Sequence, residues 1–262
     1  MKYGFIGCGN MGGAIARALS NTTKEITLAD KAIDKAQELA AELSIKCGTN
    51  EEVIGSSDVV FLAVKPQMRQ EVLDSLKGLL LEKRPVLVTM LAGTEIATLE
   101  NQLGEKLPII RIMPNTPVGV GKGLILYCRN EAVSDEVLHA VVADLQPAGY
   151  LDELAENLID AGSSVSGCGP AYMYMFIEAL ADGGVACGLP RDKALKYAEL
   201  TMIGSGELAF QSDKHPEQLK DEVCSPGGST IMGVKALEEK GFRDAAISAV
   251  LAAHKKTKKL GK

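Results

Sequence analysis

Phe5-Ile6-Gly7-Cys8-Gly9-Asn10-Met11-Gly12 is the stretch that decides the fold of this 262-residue chain. It ends a short apolar run that begins at Tyr3 and opens an amphipathic segment near Met11. A second run, Glu25 to Ala29, leads to Asp30. Strand, glycine-spaced turn, helix and strand in this order make the first βα unit of a dinucleotide-binding domain. Each glycine serves a mechanical purpose, with Gly7 allowing the tight turn, Gly9 the close approach of a pyrophosphate and Gly12 helix–strand packing. The phosphates would rest on unpaired N–H groups at the helix start, favoured by its dipole. A glycine-rich turn without a ligand is the competing reading, and it leaves this placement unexplained.

Working outward, residues 1–151 alternate β-branched runs with amphipathic stretches, the pattern of a parallel sheet covered by helices. Strands are expected at Tyr3–Ile6, Glu25–Ala29, Val59–Val64, Val86–Met90, Ile109–Met113 and Leu124–Tyr127. Helices are expected from near Met11, Ile33, Met68, Thr94 and Asp135. This half is read as a doubly wound, Rossmann dinucleotide-binding domain. Residues 152–262 carry helical patterns and no convincing strand, so the second half is read as an all-α domain. Its expected helices are Pro170–Cys187, Asp192–Gln211, Glu217–Val223, Gly227–Lys240 and Phe242–Lys258. Several are apolar on more than one face, as in Tyr172-Met173-Tyr174-Met175-Phe176-Ile177, which suits a subunit interface.

Asp30 stands where an acid would bond a ribose 2′-OH and exclude a 2′-phosphate. Lys31 beside it could meet that phosphate as a point charge. NADH and NADPH both stay open.

The 28 Lys and Arg against 34 Asp and Glu give a net charge of −6. That balance argues against nucleic acid and shows no attraction to an acidic membrane surface. No apolar stretch approaches the roughly 20 residues of a membrane span, and the first residues are too short and glycine-broken for a signal peptide. The six cysteines are scattered without C-x-x-C or histidine at ligand spacing, so no metal site is expected and free thiols in a reducing cytoplasm are.

Ser225-Pro226-Gly227-Gly228-Ser229-Thr230 is the second signal. Ser suits a helix N-cap and Pro the first helical position. Two glycines then follow where they cost helix stability, on the order of 1 kcal/mol each against Ala. A first turn without side chains lets a carboxylate or phosphate reach the N–H donors, with Thr230 adding a hydroxyl. A plain helix start whose glycines serve close packing fits the same residues. His139, His215 and His254 show no pairing that suggests a catalytic relay.

Several further segments complete a pattern: Ala63-Val64-Lys65-Pro66, Met113-Pro114-Asn115-Thr116-Pro117, Gly169-Pro170-Ala171-Tyr172, Asp182-Gly183-Gly184-Val185 with Gly188-Leu189-Pro190-Arg191, and Leu219-Lys220-Asp221 ahead of Ser225-Pro226-Gly227-Gly228. In this order the chain resembles the pyrroline-5-carboxylate reductase family over nearly its whole length. The resemblance implies NAD(P)H-dependent reduction of the ring C=N of 1-pyrroline-5-carboxylate to L-proline, the last step of proline synthesis. It also implies a homodimer through the helical domain, often built into larger assemblies.

By the same resemblance the dinucleotide contacts fall on Gly7, Cys8, Gly9, Asn10, Met11 and Gly12, on Asn50, on Val64 and Lys65, and on Ala92 and Gly93. The substrate contacts fall on Glu156, Ser229 and Thr230. The Gly227, Gly228, Ser229 and Thr230 amides would hold the substrate carboxylate, and Thr230, the catalytic candidate, would bond the ring nitrogen. Glu156 could offset the iminium charge or serve as an ordinary helix-capping acid. The chain departs from the family at Cys168, Glu222, Ser229 and Asp30, which touches fine contacts and cofactor choice. Two alternatives remain: another imine or hydroxyacid reductase of this plan, and a dinucleotide-binding regulator without turnover. A hydroxyacid enzyme would show a catalytic Lys in the helical domain. A regulator would have no use for Thr230 beside a Gly-Gly helix start.

Overall fold

The computed structural model describes residues 1–260. Eight strands form one sheet: β1 Tyr3–Ile6, β2 Ile26–Ala29, β3 Lys46–Cys47, β4 Val59–Leu62, β5 Val86–Thr89, β6 Ile109–Met113, β7 Gly123–Arg129 and β8 Gly149–Glu153. Their order is β3-β2-β1-β4-β5-β6-β7-β8, parallel except for the antiparallel pair β6 and β7. The connections run outward in both directions from β1 and β4, as expected of a doubly wound sheet. β1 and β4 are buried along their whole length, which is why they read as unbroken apolar runs.

Helices cover both faces. On one lie α1 Asn10–Leu19, α2 Ile33–Leu43 and α6 Asp135–Leu145, packing Ile15, Leu39 and Leu138 toward Phe5, Phe61 and Ile112. The Phe5 and Phe61 rings stack at 4.4 Å between centroids. On the other lie α3 Asn50–Ser56, α4 Arg69–Lys83, α5 Ile96–Leu103 and α7 Glu156–Ser166, packing Ile54, Leu73, Leu99 and Ile159 toward Val60, Leu62 and Leu87.

Four of these elements, β3, β8, α3 and α7, go beyond the expected set. β3 is two residues long, too short for any periodicity to register. β8 is a polar edge strand with only Gly149 and Leu151 half-buried. α3 spans seven residues under a capping box formed by Thr49 and Glu52, a T-x-x-E signal that the sequence does carry.

The chain divides into two compact units, Met1–Cys168 joined by the residues from Ala253 onward, and Gly169–Ala252. The expected boundary after Leu151 therefore cuts through β8. The reason is local packing: β8 pairs along β7, and α7 lies so close to β7 that a Cβ on Gly162 would come within 2.5 Å of the Leu126 side chain.

The second unit is helical throughout: α8 Gly169–Ala186, α9 Arg191–Gln211, α10 Pro216–Val223, α11 Ser229–Glu239 and the start of α12 Phe242–Leu260. Its buried hydrophobic cluster consists of Ala181, Ala194 and Ala198, with Ile177 and Val185 packed against it. Large apolar side chains such as Met175, Leu200, Ile203 and Met232 stand exposed.

Candidate dinucleotide and substrate sites

The turn after β1 lies at the carboxyl edge of the sheet, beside β4, where the chain order reverses. Gly7 has φ +105°, and a Cβ there would sit 2.5 Å from the Ala63 carbonyl oxygen. On Gly12 a Cβ would sit 2.3 Å from the Gly7 carbonyl oxygen, so α1 starts flush against the turn. Gly9 is the opposite case, because a Cβ on it would meet nothing within 4 Å. It is also the N-cap of α1, with no side-chain cap and no acid in the first helical turn. The cradle is thus closed where backbone must pack and open where an anion must approach, which fits a pyrophosphate.

Asp30 is drawn into this turn. Its Oδ2 accepts the Cys8 N–H at 2.6 Å and its Oδ1 accepts the Ala32 N–H at 2.8 Å. The carboxylate is held at the end of β2, whereas Lys31 is exposed. Burial and the neighbouring Asp30 charge push the Cys8 thiol up to about 12.

The remaining expected dinucleotide residues share this edge of the first unit. Asn50 opens α3 directly after the Thr49 cap. Val64 and Lys65 follow β4, with Lys65 in extended backbone ahead of Pro66, and the Val64 amide nitrogen would lie 3.3 Å from a Cβ on Gly7. Ala92 and Gly93 form the turn between β5 and α5, closed by the Thr94 N–H on the Leu91 carbonyl at 3.2 Å.

In the second unit, Ser225 to Gly228 is a turn and not the helix start itself. The Gly228 N–H donates to the Ser225 carbonyl at 3.0 Å, and Gly227 at φ +68° takes the third position after Pro226. This is the type II pattern, in which Pro and then Gly fill the central places. The expected N-cap at Ser225 and first helical residue at Pro226 therefore move to Gly228 and Ser229, because a left-handed Gly227 cannot belong to the helix. The anion-facing features survive the move: Gly228 gives α11 no side-chain cap, its first turn holds no acid, and Ser229 and Thr230 are exposed.

Sequence reasoning missed what braces this turn. Arg243 binds Glu217 on α10 and Glu238 on α11 at 2.7 and 2.6 Å, so one guanidinium ties the helices on either side of it. Lys220 and Arg243 hold the Glu217 carboxyl down to about 2.

Glu156 belongs to the first unit. Its Oε1 accepts the Ile96 N–H at 2.7 Å and lies 3.4 Å from Arg111, whose other nitrogen is 2.5 Å from Asp160. Arg111 was also missed, although a lone charge inside Ile109-Ile110-Arg111-Ile112-Met113 is itself the signal of a buried partner.

The models of two known families match the chain: pyrroline-5-carboxylate reductase dimerisation over residues 156–260, and NADP oxidoreductase, coenzyme F420-dependent, over residues 2–93. A pyrroline-5-carboxylate reductase from Synechocystis sp. is 41% identical, covering 100% of this chain and 99% of the relative. The chain belongs to the pyrroline-5-carboxylate reductase family.

Solved reductases of this family share the whole fold. The Plasmodium falciparum pyrroline carboxylate reductase with NADP bound superposes with a TM-score of 0.90 at 34% identity, covering 100% of this chain and 98% of that one. The Streptococcus pyogenes enzyme gives 0.91 at 32%, covering 99% and 98%. The dimerisation match takes in the whole of this reductase's second unit, where its apolar side chains are exposed. No helix among the described residues is long and apolar enough to cross a membrane.

Proposed function

We infer that this chain reduces 1-pyrroline-5-carboxylate to L-proline with NADPH or NADH, as a cytoplasmic homodimer or larger homo-oligomer. The observation that carries the reading is a pair of uncapped glycine helix starts, Gly9 on α1 and Gly228 on α11. One suits a dinucleotide pyrophosphate and the other a small carboxylate. The six free cysteines support the reducing compartment.

The turn from Gly7 through Cys8, Asn10 and Met11 to Gly12, with Asn50, Val64, Lys65, Ala92 and Gly93, would hold the dinucleotide. When bound, its reduced nicotinamide supplies the hydride. The Gly227, Gly228, Ser229 and Thr230 amides hold the substrate carboxylate. The Thr230 hydroxyl accepts the iminium N–H and so fixes the face of the ring. Glu156, a substrate contact by the family resemblance, offsets the iminium charge; its Oε1 already holds the Ile96 N–H and Arg111.

As hydride reaches the imine carbon, the C=N π pair settles on nitrogen and the positive charge disappears. No general acid is needed at that step, which suits a site without histidine. Positioning supplies the acceleration, on the order of several kcal/mol. The test is parallel oxidation of NADPH and NADH by the purified protein with 1-pyrroline-5-carboxylate, followed by nicotinamide absorbance. Substrate-dependent turnover is expected. A folded protein that binds dinucleotide and turns over neither would overturn the reading in favour of a regulator.

A further inference from the structure

The Ala92–Gly93 turn is anchored at its far side by residues distant in sequence. Thr94 is buried, and its hydroxyl faces Arg69 at 3.5 Å. Ile96, the first residue of α5, gives its N–H to Glu156, 60 positions further on. The N-cap of α5, Glu95, makes no side-chain cap, so the start of this helix is capped from α7 instead. Glu156 is in turn held by Arg111, whose side chain is 1% exposed and whose Nε is buried without a partner. Placing a guanidinium inside a sheet covered on both faces is costly, and an apolar residue of like volume is often the more stable choice. What the arginine gives in return is a fixed position for two carboxylates, Asp160 and Glu156.

We propose that Glu156 is a positioning residue for the dinucleotide: its Oε1, fixed by Arg111, holds the start of α5 and with it the Ala92–Gly93 turn. Oε1 then shapes the dinucleotide turn, while the proposed substrate role of Glu156 rests on its negative charge. The proposal rests on the reading that Ala92 and Gly93 contact the dinucleotide.

The test measures the Kd of NADPH and NADH by calorimetry, alongside KM for 1-pyrroline-5-carboxylate, in the full-length wild type and in Glu156→Ala and Glu156→Gln. Loss of a charge-assisted bond to a backbone N–H predicts a dinucleotide Kd about tenfold higher in Glu156→Ala. Glutamine keeps an acceptor for Ile96 and restores dinucleotide Kd to within about twofold, while the substrate KM stays raised because the charge is gone. Should Glu156→Ala not fold, Glu156→Asp draws the carboxylate back by one methylene and is expected to weaken dinucleotide in the same way with its charge intact. Unchanged dinucleotide Kd in Glu156→Ala, or no rescue by glutamine, overturns the proposal. A wild type that binds no dinucleotide sinks the underlying function instead.

Discussion

The two units solve the burial problem in opposite ways. The first closes both faces of an eight-stranded sheet with side chains it owns, from Phe5 and Phe61 on one side to Leu62 and Leu87 on the other. The second buries three alanines and leaves Leu200 at 57% and Ile203 at 67% exposure on one stripe of α9. A helix with apolar residues on its outer face needs cover. The dinucleotide-binding unit is therefore self-sufficient, and the helical unit finds its missing core in a second copy, in keeping with the family's dimerisation match.

The largest expected effect breaks that comparison directly. Leu200→Glu with Ile203→Glu removes two side chains worth about 1.5–3 kcal/mol each when buried and adds charge. Association should weaken by at least about a thousandfold, seen as a monomer by light scattering, with thermal unfolding of the helical unit at lower temperature. The first unit should keep its own transition. A double variant that stays oligomeric at wild-type stability would show that this face of α9 is not the covered one.

Next comes a contrast inside the first unit. Gly12→Ala drives a methyl into the Gly7 carbonyl, so it should cost about 1–3 kcal/mol of stability as well as dinucleotide affinity. Gly9→Ala has open space around it, so stability should stay within about 0.5 kcal/mol while dinucleotide affinity falls. Paired denaturation and binding titrations decide. Equal loss of stability in both variants would mean that Gly9 is needed for the fold and not for the ligand.

A smaller effect is expected in the second unit. Thr230→Ala removes one hydroxyl from an exposed helix start, so kcat/KM should fall about tenfold, matching one hydrogen bond to a charged group, with dinucleotide Kd unchanged. A parallel loss of dinucleotide binding would move Thr230 out of the substrate site.

Legibility followed burial on two faces. Strands with both faces covered, such as Val59-Val60-Phe61-Leu62, announce themselves as apolar runs. β3 and β8 do not, because a two-residue strand has no period and an edge strand is half solvent-facing. The glycine turn was readable because its residues are neighbours in sequence. The braces were not: Arg111 with Glu156 spans 45 positions and Arg243 with Glu217 spans 26, and only folding brings such pairs together. The cap and first residue of α11 were misplaced by three residues for a related reason. Ser-Pro-Gly-Gly fits both a cap and a type II turn, and the choice lies in the φ of Gly227.

Asp30 gives the finest test of the first unit. Its carboxylate is fixed by the Cys8 and Ala32 amides, so it cannot swing away from a 2′-phosphate carrying about two negative charges. Asp30→Ser removes that charge and leaves Lys31 unopposed. The ratio of kcat/KM for NADPH over NADH should rise about tenfold, equivalent to about 1.4 kcal/mol. A second readout is independent of turnover. The Asp30 charge helps hold the Cys8 thiol near 12, so its removal lowers that value and raises the thiolate fraction at any pH below it. Cys8 should then be alkylated faster by iodoacetamide at pH 8.5. Faster alkylation with an unchanged cofactor ratio would mean that the ribose is read by another residue. If neither changed, Asp30 would not hold the position beside Cys8 on which the prediction depends.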